Sequence, residues 1–388
     1  MNLFTPINLD IKNKYRNLDI EAKGEVKSTK YFPVFLKDGE EYIFKPLSKT
    51  KPFTTPLFAF SEVFWSYIIK KIFDTRAPLY QLAYCKGLTQ EQPKYTNQGT
   101  LVKSVLKKNQ EMINLLEIFN EYPEENVNIS DYINYCMHTY DYTKILKSEF
   151  FKNHYELGQK LAFQILLSVL RQDQNFHYEN VNFIKENNQI IDIAPPIDFE
   201  FSTAFLYPDQ PSINESYKKK YLTLPEPFDF KDCIHGLEIK GWFDPKAYTI
   251  AQNIIVIVKL FPDVATDFVE KLEYLLIELD KIEIMDEANY ITKLNSASWQ
   301  IGHARYKNND EEAAKEYESK IIPVDINKEE FFQKIIDDNK ENTEKLIYVL
   351  KVYLHAYENN IINIERIPFS TLEEIYKDQR KRKLKGTT

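Results

Sequence analysis

The first third of the chain has the short, punctuated apolar runs of strands. Asp19-Ile20-Glu21-Ala22-Lys23-Gly24 is one such run, closed by glycine. Tyr31-Phe32-Pro33-Val34-Phe35-Leu36 leads into Lys37-Asp38-Gly39-Glu40, a hairpin turn signal, and Tyr42-Ile43-Phe44-Lys45 is the return strand, stopped by Pro46. From Phe58 to Phe73 the spacing changes: Phe60, Val63, Phe64, Tyr67 and Ile68 fall on one helical face. Ser61 is placed to help start that helix, with Glu62 in its first turns, where the helix dipole favours an acid. A second strand pair is expected over Leu79–Cys85 and Gly99–Val105, joined by a polar loop over Lys86–Asn97.

From Asn109 the pattern turns mainly helical. Glu156–Leu170 carries a buried face of Leu157, Leu161, Ile165 and Leu166. Val181-Asn182-Phe183-Ile184 and Ile190-Ile191-Asp192-Ile193 form a hairpin around Glu186-Asn187-Asn188. Pro208, Pro211, Pro225 and Pro227 mark an irregular stretch, and helices dominate from Ala247. The expected class is α+β in two lobes, a strand-rich N-lobe over residues 1–106 and a mainly helical C-lobe over 107–388. Clefts between such lobes commonly hold ligands.

Composition narrows the function classes. With 26 Tyr, 26 Phe and only 9 Gly in 388 residues, the chain reads as folded rather than low-complexity. A formal net charge of -8 gives no case for nucleic acid as a partner. The basic run Arg380–Lys385 reads as a solvated, frayed C-terminus, with a weak contact to an acidic partner or membrane surface as the alternative. The three cysteines, Cys85, Cys136 and Cys233, make no CxxC pair and indicate neither a disulfide framework nor a zinc site. The residues after Met1 lack the signature of a signal peptide, and no apolar stretch is long enough to span a bilayer, so the cytoplasm is the expected compartment.

Four polar features carry candidate chemistry, each with a plainer alternative. Gly24-Glu25-Val26-Lys27-Ser28-Thr29-Lys30 has the glycine, hydroxyls and backbone amides that wrap phosphates, without Walker A spacing; it would equally serve as a hairpin turn. Lys45, at the end of an apolar strand, can contact ATP phosphates or snorkel to the surface. Glu62 on the next helix would complete the ion pair that kinases use to orient such a lysine, or be a solvated helix acid. Arg171-Gln172-Asp173-Gln174-Asn175-Phe176-His177-Tyr178-Glu179-Asn180 crowds polar groups between a buried helix and a strand. Phosphoryl transfer needs such a segment, with a carboxylate for the hydroxyl proton and an Asn or Asp nearby for a metal; an ordinary polar loop is the alternative. Asp198, after Ile193-Ala194-Pro195-Pro196-Ile197, suits a Mg²⁺ ligand or a turn cap. His177 reads as a residue that shapes its loop rather than a general base, and the other histidines are dispersed without metal-ligand spacing.

The order of these features resembles the HipA-type serine/threonine kinase core. The resemblance rests on Gly-x-x-Lys at Gly24–Lys27, Phe44-Lys45-Pro46, Phe60-Ser61-Glu62, His177-Tyr178-Glu179-Asn180 and Ala194-Pro195-Pro196-Ile197-Asp198, and covers roughly Asp19–Ser202. It implies a kinase-like fold with ATP and Mg²⁺ as cofactors. Lys45 would contact the phosphates with Glu62 as its partner, and Gly24 to Thr29, including Lys27 and Ser28, would cover them. Val102, Lys103 and Ser104 would lie near the interlobe hinge and meet the adenine, and Asn180 and Asp198 would hold Mg²⁺. It further implies a protein hydroxyl as acceptor, autophosphorylation at Ser28 or Thr29, and a restraining antitoxin as partner, as in toxin–antitoxin systems.

The chain departs from this pattern twice. The family's extra N-terminal subdomain has no counterpart in the short segment before Asp19, and is expected to be absent or supplied by a partner chain. The family also places Asp two residues before the loop histidine, where this chain has Asn175. Three explanations stand: Asp173 serves as the base, the protein is a nucleotide-binding pseudokinase acting as an interaction module, or Asn175 is an engineered Asp→Asn substitution. A small-molecule or lipid kinase on the same core is a further alternative.

Overall fold

Asp38 and Gly39 take left-handed backbone angles, φ 53° and 77°, and turn the chain back so that Lys37 faces Glu40. This hairpin joins β3 (Thr29–Lys37) to β4 (Glu40–Ser48) in a computed structural model. The structure describes residues 7–21, 29–48, 56–73, 78–92, 95–107, 109–121, 142–171, 173, 176, 180–196, 247–282, 312 and 328–385. The proline-marked stretch around Pro208 to Pro227 lies outside them.

The chain divides into two compact units. The first comprises Met1–Lys108, Ile197–Pro211 and Ile282–Ile336; the second comprises Asn109–Pro196, Ser212–Lys281 and Asp337–Thr388. Among the described residues the first is rich in strand and the second is mainly helical, so the α+β class expected from the sequence is the one observed.

In the first unit, β1 (Ile7–Asp10), β2 (Arg16–Glu21), β3, β4, β5 (Tyr80–Lys86) and β6 (Tyr95–Lys103) form one sheet in the order β1-β5-β6-β4-β3-β2. β1 runs parallel to β5, and the other neighbours are antiparallel. Side chains alternate between the two faces of each strand. On one face Phe35, Phe44, Ala83, Cys85, Tyr95 and Leu101 pack with Ile11 and with Leu88 of the short α2 (Leu88–Glu91). The opposite face receives α1 (Pro56–Ile72), which packs on β5 and β6.

Three details differ from the pattern read along the sequence. β4 does not stop at Pro46 but continues to Ser48, with an irregularity between them. Pairing with β3 ends at Ile43, so Pro46 has a neighbour only on the β6 side and its missing N–H interrupts no ladder bond with β3. Helix α1 begins at Pro56, a residue whose fixed φ suits a first helical position. Ser61 and Glu62 therefore lie inside the helix, 0% and 2% exposed, rather than at its start. The interval read as a polar loop holds α2 and the first residues of β6.

In the second unit, β7 (Gln110–Asn114), β8 (Asn182–Glu186) and β9 (Gln189–Ile193) form an antiparallel sheet in that order. Asn187 and Asn188 make the β8–β9 turn with φ of 50° and 64°, the left-handed region that asparagine tolerates better than most residues. β7 occupies a segment read as helical; Met112 and Ile113 find their partners in Ile184 and Phe183, some seventy residues on. The described helices are α3 (Leu115–Glu121), α4 (Thr143–Leu146), α5 (Glu149–Asn153), α6 (Tyr155–Arg171), α7 (Ala247–Leu260), α8 (Pro262–Leu279), α9 (Lys328–Glu358), which belongs to this unit from Asp337 on, and α10 (Phe369–Lys385). α6 is central: Leu161, Ala162, Leu166 and Leu167 are fully buried, and it packs against α5, α7, α8 and β9. No helix of the described residues is long and apolar enough to cross a membrane.

Candidate functional site

Lys45 points from β4 toward α1, and its Nζ lies 2.6 Å from Glu62 Oε1. The pair is asymmetric: the glutamate side chain is 3% exposed and the lysine side chain 21%. A buried carboxylate needs compensation in charge and in hydrogen bonds. The second oxygen, Oε2, accepts a bond of 2.7 Å from the Thr100 hydroxyl. Thr100 is the residue directly opposite Lys45 in the β4–β6 ladder, so the two strands present a cation and a hydroxyl side by side to one helical carboxylate. The ion pair and Thr100, rather than the helix dipole, hold Glu62 inside α1. Ser66, one turn further along, accepts a bond from the Tyr80 N–H and ties the same helix to β5.

The residues expected at the hinge end β6. Val102 is buried opposite Ile43, Lys103 Nζ lies 3.0 Å from Glu40 Oε1 in an exposed pair, and the Ser104 N–H donates to the Glu41 carbonyl at 2.8 Å. The Ser104 amide thus extends the β4–β6 ladder. Of the expected phosphate-covering residues, Gly24, Lys27 and Ser28 lie outside the described residues. Thr29 opens β3 with its backbone opposite Glu21.

In the second unit the polar segment after α6 is tied down at several points. The Asn342 amide on α9 donates to the Leu170 carbonyl at 2.5 Å, taking up one of the carbonyls that a helix end leaves without an intrahelical donor. The Asp173 N–H returns to the Ser168 carbonyl. Arg171 Nη2 meets Asp173 Oδ2 at 2.6 Å, with the two side chains 1% and 4% exposed. Further on, the Tyr142 hydroxyl donates to the Phe176 carbonyl at 3.0 Å, and their rings stack at a tilt with centroids 5.3 Å apart. Asn180 sits partly buried in the turn before β8. Asn175, His177 and Asp198 lie outside the described residues. The motif leading to Asp198 begins in an anchored position: the Ala194 carbonyl accepts from the buried Gln164 amide of α6 at 2.7 Å, and its N–H donates to the Asn182 carbonyl.

The amide oxygen of Asn180 and the carboxylate of Asp198 are oxygen donors of the hard type that magnesium takes. Among the described residues, no three or more His, Cys, Asp or Glu side chains come together as a metal-binding group.

Sequence reasoning named the Lys45–Glu62 pair but missed Thr100, whose signal is a lone hydroxyl in the apolar half of β6. It also missed Gln164, Asn342 and Tyr142, polar groups on buried faces whose partners lie far along the chain.

No family model matches this chain, and no curated protein matches it. Among solved structures, it is similar to a proinflammatory kinase, CtkA, from Helicobacter pylori, with 13% identity over 81% of this chain and 99% of that one and a TM-score of 0.39.

Proposed function

We propose that this chain has the core of an ATP- and magnesium-dependent kinase of HipA type, whose acceptor is a serine or threonine hydroxyl of a protein. The observation that carries the reading is the Lys45–Glu62 pair: a strand lysine oriented by a buried carboxylate on the following helix, with its own side chain still partly exposed. That is the arrangement by which kinases direct an ammonium at nucleotide phosphates. In this reading Gly24, Lys27, Ser28 and Thr29 cover the phosphates, Val102 to Ser104 border the adenine, and Asn180 and Asp198 hold magnesium. The metal, when bound, neutralises charge on the phosphate oxygens. The protein substrate and a restraining antitoxin-like partner belong to the same proposal, as does a cytoplasmic location.

A second reading, nucleotide binding without transfer, draws on two residues of the loop. Asn175 offers an amide where the HipA pattern has its aspartate, and an amide takes up no proton at neutral pH. Asp173, the other candidate base, is buried against Arg171. A carboxylate committed to a buried guanidinium is a poor proton acceptor for an incoming hydroxyl. The chain as it stands is therefore proposed to hold Mg-ATP while transferring little or no phosphate.

Nucleotide-dependent thermal stabilisation tests the binding half. Mg-ATP in large excess over its Kd raises the unfolding temperature of this chain, and Lys45→Met abolishes the rise. No rise in the parent chain at millimolar Mg-ATP sinks the nucleotide reading.

A further inference from the structure

Tyr142 and Asn253 form a buried relay that ends on the backbone of the segment between α6 and β8. Asn253 lies in α7, directly before the run Ile254 to Val258 that is buried throughout, and is itself 3% exposed. Its side-chain oxygen accepts the Tyr142 N–H at 2.9 Å. Tyr142 is also 3% exposed, and its hydroxyl reaches the Phe176 carbonyl. Phe176, 5% exposed, stands outside regular secondary structure, so its carbonyl has no helix or strand partner to rely on. A polar amide on an apolar helix is costly unless it satisfies a specific group, and here it fixes the residue whose hydroxyl does so.

The other anchors hold the segment at its ends. Asn342 and the Arg171–Asp173 pair act at its start. At its finish the Leu115 N–H donates to the Val181 carbonyl. The Tyr142 bond acts in the middle, on the residue flanked in sequence by Asn175 and His177.

We propose that Tyr142, seated by Asn253, is the positioning residue of this loop, and that its hydroxyl fixes the backbone at Phe176, the residue between positions 175 and 177 in the sequence. The proposal rests on the phosphotransferase reading for what the loop does, though not for the clamp itself. Misplacing a reacting group by about 1 Å costs on the order of 100-fold in rate. Tyr142→Phe removes the oxygen and keeps the ring against Phe176, so it separates the bond from the packing.

The test uses the full chain carrying Asn175→Asp. Single-turnover phosphate transfer and the Kd for Mg-ATP are measured with and without Tyr142→Phe, and amide hydrogen exchange is followed in parallel. The expected result is a fall in transfer rate of roughly 10- to 100-fold with the Kd unchanged. Exchange should quicken at residues 175–178 and stay as it was in β8 and α7. Asn253→Ala should act in the same direction, and the double variant should be little worse than either, as for two members of one unit. Transfer and loop exchange unchanged by Tyr142→Phe would overturn the proposal. So would exchange that quickens equally in β8 and α7 with a weaker Kd, which would make Tyr142 an ordinary packing residue. If Asn175→Asp transfers no phosphate at all, the kinase reading fails, and the exchange data alone decide: acceleration confined to 175–178 upholds the clamp, and its absence removes it.

Discussion

A Cβ at Gly99 would stand 2.2 Å from the carbonyl oxygen of Lys45 and 2.8 Å from the Cα of Pro46. Strand β6 thus approaches β4 so closely beside the lysine that only hydrogen fits there. Gly99→Ala forces the Lys45 backbone away from β6 and loosens the aim of its side chain at Glu62. The expected cost is about 1–3 kcal/mol, as for overpacking a filled site. Chemical denaturation would read the loss, together with a smaller Mg-ATP-induced rise in unfolding temperature. Full stability with an undiminished nucleotide effect would show that the strands can part there without consequence.

Glu62 joins α1 to two strands at once, so its variants should rank. Thr100→Val removes one hydrogen bond to a buried carboxylate and should cost about 1–3 kcal/mol. Glu62→Ala leaves a cavity and both former partners to find new ones, and should cost more. Glu62→Gln keeps the shape and loses the charge, so nucleotide affinity should suffer more than stability. Paired denaturation and calorimetric titration distinguish these outcomes; equal stability losses for Thr100→Val and Glu62→Ala would contradict the ranking.

The Arg171–Asp173 pair is more completely buried than Lys45–Glu62, at 1% and 4% side-chain exposure. Asp173→Asn removes the carboxylate charge that Arg171 Nη2 meets in the interior and should destabilise by about 3–5 kcal/mol. Replacing both with apolar residues, Arg171→Met with Asp173→Leu, should be milder than either single change. A double variant as unstable as the sum of the singles would contradict this account of the pair.

Burial pushes the Cys85 thiol up to about 11 from an ordinary 9.0. A raised value in the folded state means that the unfolded chain gives up this proton first. The stability associated with Cys85 is fully present below the unfolded value and is lost as pH rises from about 9 to about 11. Cys85→Ala should flatten that alkaline limb of the stability curve. Site-resolved alkylation at pH 8 should leave Cys85 unmodified in the folded protein and label it after denaturation; rapid labelling in the folded state would show the thiol to be accessible.

What the sequence disclosed follows from the range of each interaction. The Asp38-Gly39 and Asn187-Asn188 hairpins were legible because the turn residues lie between the strands they join. Lys45 and Glu62 were legible because a strand end and the next helix are close in sequence. β1 was not, since its run pairs in parallel with a strand more than seventy residues away. β7 was missed because Gln110-Glu111-Met112-Ile113-Asn114 has little strand character of its own and is strand only beside β8. Asn253 and Asn342 carry no local signal either, and Thr100 carries only that of a lone hydroxyl in an apolar run. Each is a buried polar residue whose purpose appears only when its partner is known, and for Asn342 that partner is 172 positions away.

Phosphate transfer from labelled Mg-ATP, with incorporation into the protein as readout and this chain beside its Asn175→Asp variant, tests the central claim most directly. The account predicts label in the variant and little or none in the parent, because the parent offers an amide at position 175 and its Asp173 is held by Arg171. Equal labelling of the two would contradict the place given to Asn175. No labelling of either would contradict the phosphotransferase reading.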